Sequence, residues 1–188
     1  MVGASAMAIR IEEPPYDVVK SYTDFEVRRY GDTVQARVQT SSRSGGAASG
    51  GFRRVAGYIF GGNAQQTSIA MTAPVSMWEE EGVGWLAFTM PSTYSLESLP
   101  TPNDEGVRLV SHPSSLVAVL MFSGRNTTGR VERMEKRLRA ALEREGYMPS
   151  GPGILAAYDN PWTTLPFRRR NEVHIEILTK ESTHREKP

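Results

Sequence analysis

Apolar and polar positions alternate along much of the chain, and the alternation marks strands. Phe25, Val27 and Arg29 alternate with Glu26, Arg28 and Tyr30, and Gly31-Asp32 then supplies a turn. Val34, Ala36 and Val38 alternate with Gln35, Arg37 and Gln39 as a second strand. Further on, Ile69, Met71, Ala73, Val75 and Met77 predict a strand that Pro74 confines to an edge or a bulge. Strands are also predicted over 84–90, 107–110, 116–122, 154–158 and 172–179. The segment from Glu12 to Tyr22 holds Pro14-Pro15 and reads as extended.

Two stretches carry a helical period instead. Phe52, Val55, Ala56, Ile59 and Phe60 fall on one face, and Gly61-Gly62-Asn63 closes the helix. Before it, Ser41 to Gly51 is rich in Ser, Gly and Ala and reads as a loop running into that helix. A second helix is predicted from about Thr128 to Glu145. Its stripe is Val131, Met134, Leu138, Ala141 and Leu142, its wet side carries Glu132/Lys136 and Glu135/Arg139, and Gly146 stops it. The order is strand, strand, helix, strand, strand, then the same again. That is a duplicated ββαββ-like unit, an α+β fold in which two units can share one curled or barrel-like antiparallel sheet.

Composition narrows the function. The 188 residues suit one domain, expected over 9–180, between a short N-terminal segment (1–8) and a charged tail (181–188). Lys+Arg 22 against Asp+Glu 21 is too balanced for a nucleic-acid-binding module. No apolar run approaches the roughly 20 residues of a transmembrane helix. Cysteine is absent, which excludes disulfides, thiolate metal sites, Cys nucleophiles and covalent haem attachment. Ala4-Ser5-Ala6 and Ala6-Met7-Ala8 match the small-x-small pattern of a signal-peptide cleavage site. A leader remnant would make the protein periplasmic or exported; a plain Ala-rich start would leave it cytoplasmic. The glycines after the first helix form no phosphate loop, and they sit at the wrong dipole end for an anion.

Several segments, in order, carry a resemblance. They are Tyr22-Thr23-Asp24-Phe25-Glu26-Val27-Arg28-Arg29-Tyr30-Gly31, then Phe52 to Asn63, then Ile69-Ala70-Met71-Thr72-Ala73-Pro74-Val75, then Tyr158-Asp159-Asn160-Pro161-Trp162 and Arg169-Arg170-Asn171-Glu172-Val173. Over about residues 12–179 the chain resembles the SOUL haem-binding family, in its bacterial type. The resemblance implies a distorted antiparallel β-barrel with two flanking helices. It also implies reversible, noncovalent binding of haem or free porphyrin in a shallow apolar site beside the first helix, as a carrier or buffer. One vertebrate member uses an axial histidine at the position matching Arg29, and arginine cannot donate a lone pair to iron.

A tetrapyrrole is a flat apolar macrocycle with two carboxylates, so it needs an apolar wall and one or two cations. Arg53, Arg54, Tyr58, Ile59 and Phe60 on the first helix are candidates, with Arg169 between Arg168 and Arg170 as a further propionate partner. For iron, His174 and Tyr58 are the candidate ligands, the latter because tyrosinate binds ferric haem. His174 otherwise packs half-buried, and Tyr58 otherwise forms a pocket wall. His112 precedes a proline in a turn, and His184 lies in the tail. Met71, Met77, Met90, Met121, Trp78, Trp85 and Trp162 read as core or rim first. The competing functions are an enzyme on the same scaffold, for which Glu172 or Glu26 would need a raised pKa beside a cavity, and a sensor of another apolar ligand.

Overall fold

The computed structural model describes residues 11–41, 46–159 and 163–178. The N-terminal small-residue segment, Trp162, His184 and the charged tail lie outside them. The strands are β1 (Tyr16–Ser21), β2 (Glu26–Tyr30), β3 (Thr33–Thr40), β4 (Val75–Glu80), β5 (Val83–Thr89), β6 (Arg108–His112), β7 (Ser115–Ser123), β8 (Met148–Ala157) and β9 (Arg170–Leu178). The helices are α1 (Gly46–Ile59) and α2 (Thr128–Arg144), and a 3₁₀ turn, Pro166–Arg168, precedes β9.

All nine strands join one sheet in the order β1-β2-β7-β9-β8-β4-β5-β3-β6, every pairing antiparallel. The α+β architecture and the duplicated strand-strand-helix-strand-strand order are as the sequence predicts. Apart from β1, the order is symmetric under exchange of the two units, with the axis between β4 and β8. Each unit lends a strand to the other: β2 pairs with β7, and β6 pairs with β3.

The sheet is open rather than a barrel closed by ladder bonds, with β1 and β6 at its ends among the described residues. It nevertheless curls strongly. β6 and β7 are joined only by Pro113 and Ser114, although five strands stand between them in the ladder. Both helices pack on one face. Val55, Tyr58 and Ile59 of α1 join Ala36, Val38, Leu86 and Phe88, and Leu138, Ala141 and Leu142 of α2 join Val27, Leu120, Val173 and Ile175. Side chains alternate across a strand. Hence Arg28, Arg37, Glu172, His174 and Glu176 all point to the other, inner face.

Four elements differ from the sequence reading, among them β8, which begins at Met148, six positions before the strand read over 154–158. α1 begins at Gly46, inside the stretch read as loop. Small residues serve there because a Cβ on Gly51 would lie 2.5 Å from the Thr40 methyl, so only glycine lets α1 lie this close to β3. The strand read over 69–77 starts at Val75, after the cis Ala73–Pro74 peptide, while Thr72 bridges Glu12. The proline-rich N-terminal run ends in a full edge strand, β1, with every residue exposed.

Candidate functional site

α1 turns two different faces outward and inward. Val55, Tyr58 and Ile59 are buried at its core side. Arg53, Arg54, Gly57 and Phe60 are exposed, Phe60 at 66%. Arg53, Gly57 and Phe60 follow one another at helical spacing along about 10 Å of axis. A Cβ on Gly57 would meet nothing within 4 Å, so the middle of this strip is bare backbone. The helix is stopped hard beyond it. Gly61 takes φ +104°, the amide of Gly62 donates to the Gly57 carbonyl at 2.8 Å, and a Cβ on Gly62 would sit 2.6 Å from that oxygen. Asn63, fully buried, donates to the carbonyls of Tyr58 and Thr67 at 3.1 and 2.8 Å and fixes the exit of the chain.

The candidates on α1 therefore divide. Tyr58 is 2% exposed and donates its hydroxyl to the Pro100 carbonyl at 2.9 Å. Burial pushes its pKa up to about 12, away from tyrosinate. Ile59 is buried completely. Arg54 donates to both carboxylate oxygens of Asp104, at 2.7 and 2.5 Å. Arg53 and Phe60 are left facing solvent, with Phe52 at 40% exposure beside them in sequence. Arg169 donates to the Thr164 carbonyl at 2.9 Å in the β8–β9 connection.

The inner face carries a polar network. Glu172 is 2% exposed and accepts from Arg28 Nη1 at 3.1 and 3.2 Å, from the Tyr158 hydroxyl at 2.8 Å and from His174 Nε2 at 2.7 Å. A carboxylate only accepts, so Nε2 of His174 carries the proton. Burial alone would raise the Glu172 pKa; the His174 hydrogen bond, the charges around it and the Tyr158 hydroxyl outweigh burial and hold it at about 2. A carboxylate held this low cannot act as the raised-pKa acid that the hydrolytic reading requires. Glu26 is likewise tied, accepting from Arg28 Nε at 2.8 Å. Arg28 also lies over the Tyr16 ring, 4.2 Å from its centroid.

Beside this network, His112 Nε2 reaches Glu176 at 3.1 Å and its Nδ1 lies 3.4 Å from Arg37. Both ring nitrogens are thus engaged. The groove between them holds about 100 Å³ and is lined by Tyr30, Arg37, Trp78, Ile154, Tyr158 and His174, among others. That volume admits a few waters, not a macrocycle.

His174 thus lies on the inner face, whereas the Arg53–Gly57–Phe60 strip faces away from the sheet on its helical side. The structure does not bring these candidates together. Arg29 is exposed on β2. Met90 and Trp78 are buried, and Met121 is 55% exposed. Arg28, Tyr30 and Tyr158 are the network members that sequence reasoning passed over. The signal was present: polar residues at alternate positions of β2 mark an inner face that is polar rather than apolar.

The fold is an α+β one: a curled antiparallel sheet built from two interleaved units, with both helices on one side and a polar inner face on the other. Of solved structures, the chain resembles the C-terminal domain of EcmrR, at 8% identity and TM-score 0.64, covering 87% of this chain and 98% of that one. A hydrolase from Listeria innocua is similar at 10% identity and TM-score 0.59, covering 85% and 94%. At these identities the likeness concerns the fold alone. Residues 11–176 match the SOUL heme-binding protein family, and the chain belongs to it. Heme-binding protein 2 of Homo sapiens is 26% identical, with 90% of this chain and 88% of that protein aligned.

Proposed function

We propose that this protein binds haem or a related tetrapyrrole reversibly and noncovalently, on the exposed strip of α1, as a carrier or buffer. Membership of the SOUL family supports the ligand class. The observation that carries the place is Phe60, 66% exposed at the end of a strip whose centre is the bare Gly57 backbone and whose other end is Arg53. A flat ring laid over Gly57 would contact Phe60 and leave a propionate within reach of Arg53. The residues fit the macrocycle and its carboxylates. They offer the iron no side-chain ligand, because the Tyr58 hydroxyl is committed to Pro100. Recognition then rests on the ring and its propionates. Arg169 is a further propionate partner only if the β8–β9 connection reaches the same ligand, and His174 a ligand only for a group on the inner face.

The test is an absorbance titration with ferric haem and, separately, with metal-free protoporphyrin IX. Saturable one-to-one binding of both, weakened about tenfold or more by Phe60→Ser, is expected. Binding that Phe60→Ser and Arg53→Ser leave untouched would remove the strip from the site.

A further inference from the structure

A cavity larger than the inner-face groove lies elsewhere and has the opposite electrostatic character. It is an open cleft of about 540 Å³, within the range of small-molecule sites. The segment before β1, the start of β3, the loop after β5 and the β6–β7 turn enclose it. Pro14, Val34, Met90, Pro91, Tyr94 and Leu96 give it apolar walls. Its charged lining is Glu12, Asp32 and Glu97, with His112 and no Lys or Arg.

These carboxylates are held by uncharged donors. Glu12 accepts from the Ser92 amide at 2.8 Å, and Asp32 accepts from the Ser114 amide at 2.7 Å. Glu97 is kept below its ordinary pKa by its own backbone amide and by Ser95. None of the three forms an ion pair among the described residues. His112, the only other titratable group besides Tyr94 in the lining, is turned to Glu176 and Arg37. Nor do the carboxylates converge: no group of three His, Cys, Asp or Glu among the described residues could hold a metal ion. Spread negative charge over an apolar floor suits a bulky cation with an apolar body, because each carboxylate attracts it while proline, methionine and tyrosine cover its hydrocarbon. The same charges repel the propionates of a tetrapyrrole.

We propose that this cleft is a second binding site, separate from the α1 strip, for an organic cation bearing an aromatic or aliphatic body. Calorimetry with (1-naphthylmethyl)trimethylammonium at low salt tests it, beside 1-naphthalenemethanol as the neutral isostere and 1-naphthylacetate as the anion. The cation should bind saturably, at least about tenfold more tightly than either control. Glu97 is exposed, so Glu97→Lys should leave the melting temperature unchanged while weakening the cation about tenfold. Asp32→Asn and Glu12→Gln, which keep an oxygen acceptor for the Ser114 and Ser92 amides, should each weaken it several-fold. Equal binding of the neutral isostere, or indifference to all three substitutions, would overturn the proposal. Displacement of the cation by protoporphyrin IX would place it on the tetrapyrrole surface and overturn the separate cleft, whereas failure of porphyrin binding alone would leave the cleft standing.

Discussion

Arg28 and Glu172, 144 positions apart in the chain, meet at 3.1 Å under the sheet, with side chains 2% and 3% exposed. β7 stands between their strands. Two charges out of water at this depth are tolerable only because Glu26, Tyr30, Tyr158 and His174 complete their hydrogen bonds. Removing one partner leaves the other unpaired. Arg28→Met alone should therefore destabilise the protein by about 3–5 kcal/mol. Arg28→Met with Glu172→Leu should recover much of the loss, read from urea midpoints.

The same carboxylate sets a pH dependence with a definite sign. Its folded pKa of about 2 lies below the ordinary 4.5. Its stabilisation is then fully present above about pH 4.5 and lost as pH falls toward 2. Denaturation of the wild type and Glu172→Gln at pH 6, 4 and 2.5 should show the stability gap closing on acidification. A gap constant over that range would contradict the assignment.

On α1 the two arginines should behave differently. Arg54 is committed to Asp104 in an exposed pair, worth at most about 1 kcal/mol of stability. Arg54→Ala should hardly change porphyrin affinity. Arg53→Ala should lower it several-fold, with a larger effect at low salt. Fluorescence quenching of protoporphyrin IX on the two variants distinguishes them.

Tyr58→Phe should cost about 1 kcal/mol through loss of the bond to Pro100. The Soret band of added ferric haem should keep its position. A shifted band would make Tyr58 an iron ligand and overturn the porphyrin-face reading.

Gly57 separates stability from binding at one residue. Its side-chain position is open, and glycine costs a helix interior up to about 1 kcal/mol relative to better formers. Gly57→Gln should hold or raise the melting temperature while weakening tetrapyrrole binding, because its side chain covers the flat strip.

What the sequence made legible follows from where periodicity is written. α2, expected from Thr128 to Glu145, runs from Thr128 to Arg144, because a full apolar stripe and charged pairs mark it. β1 escaped because all six of its residues are exposed and nothing alternates. The first half of α1 escaped because glycine and alanine carry no amphipathic signal; the close approach to Thr40 replaces it. The apolar stripe of α1 was misread only at its ends, where Phe52 and Phe60 emerge while Tyr58 turns in. For Glu172 the sequence offered the reading of an acid that would need a raised pKa beside a cavity. Its partner proves to be Arg28, and a contact across 144 positions leaves no trace in local spacing. The duplicated order was plain, whereas the strand exchange between units and the open ladder depend on pairing that no local pattern encodes.

That exchange has a consequence for how the chain reaches its native state. Neither half can complete its own hydrogen-bond ladder: β2 waits for β7, and β3 takes β6 on its outer edge. The central β8 pairs with β9 on one side and with β4, from the opposite half, on the other. Such non-local closure makes folding slow and all-or-none, since loop entropy is spent before most contacts reward it. On the ribosome the first half would emerge with bare strand edges and no partner for them. A fragment ending before β7 should remain unfolded or aggregate instead of forming half a domain.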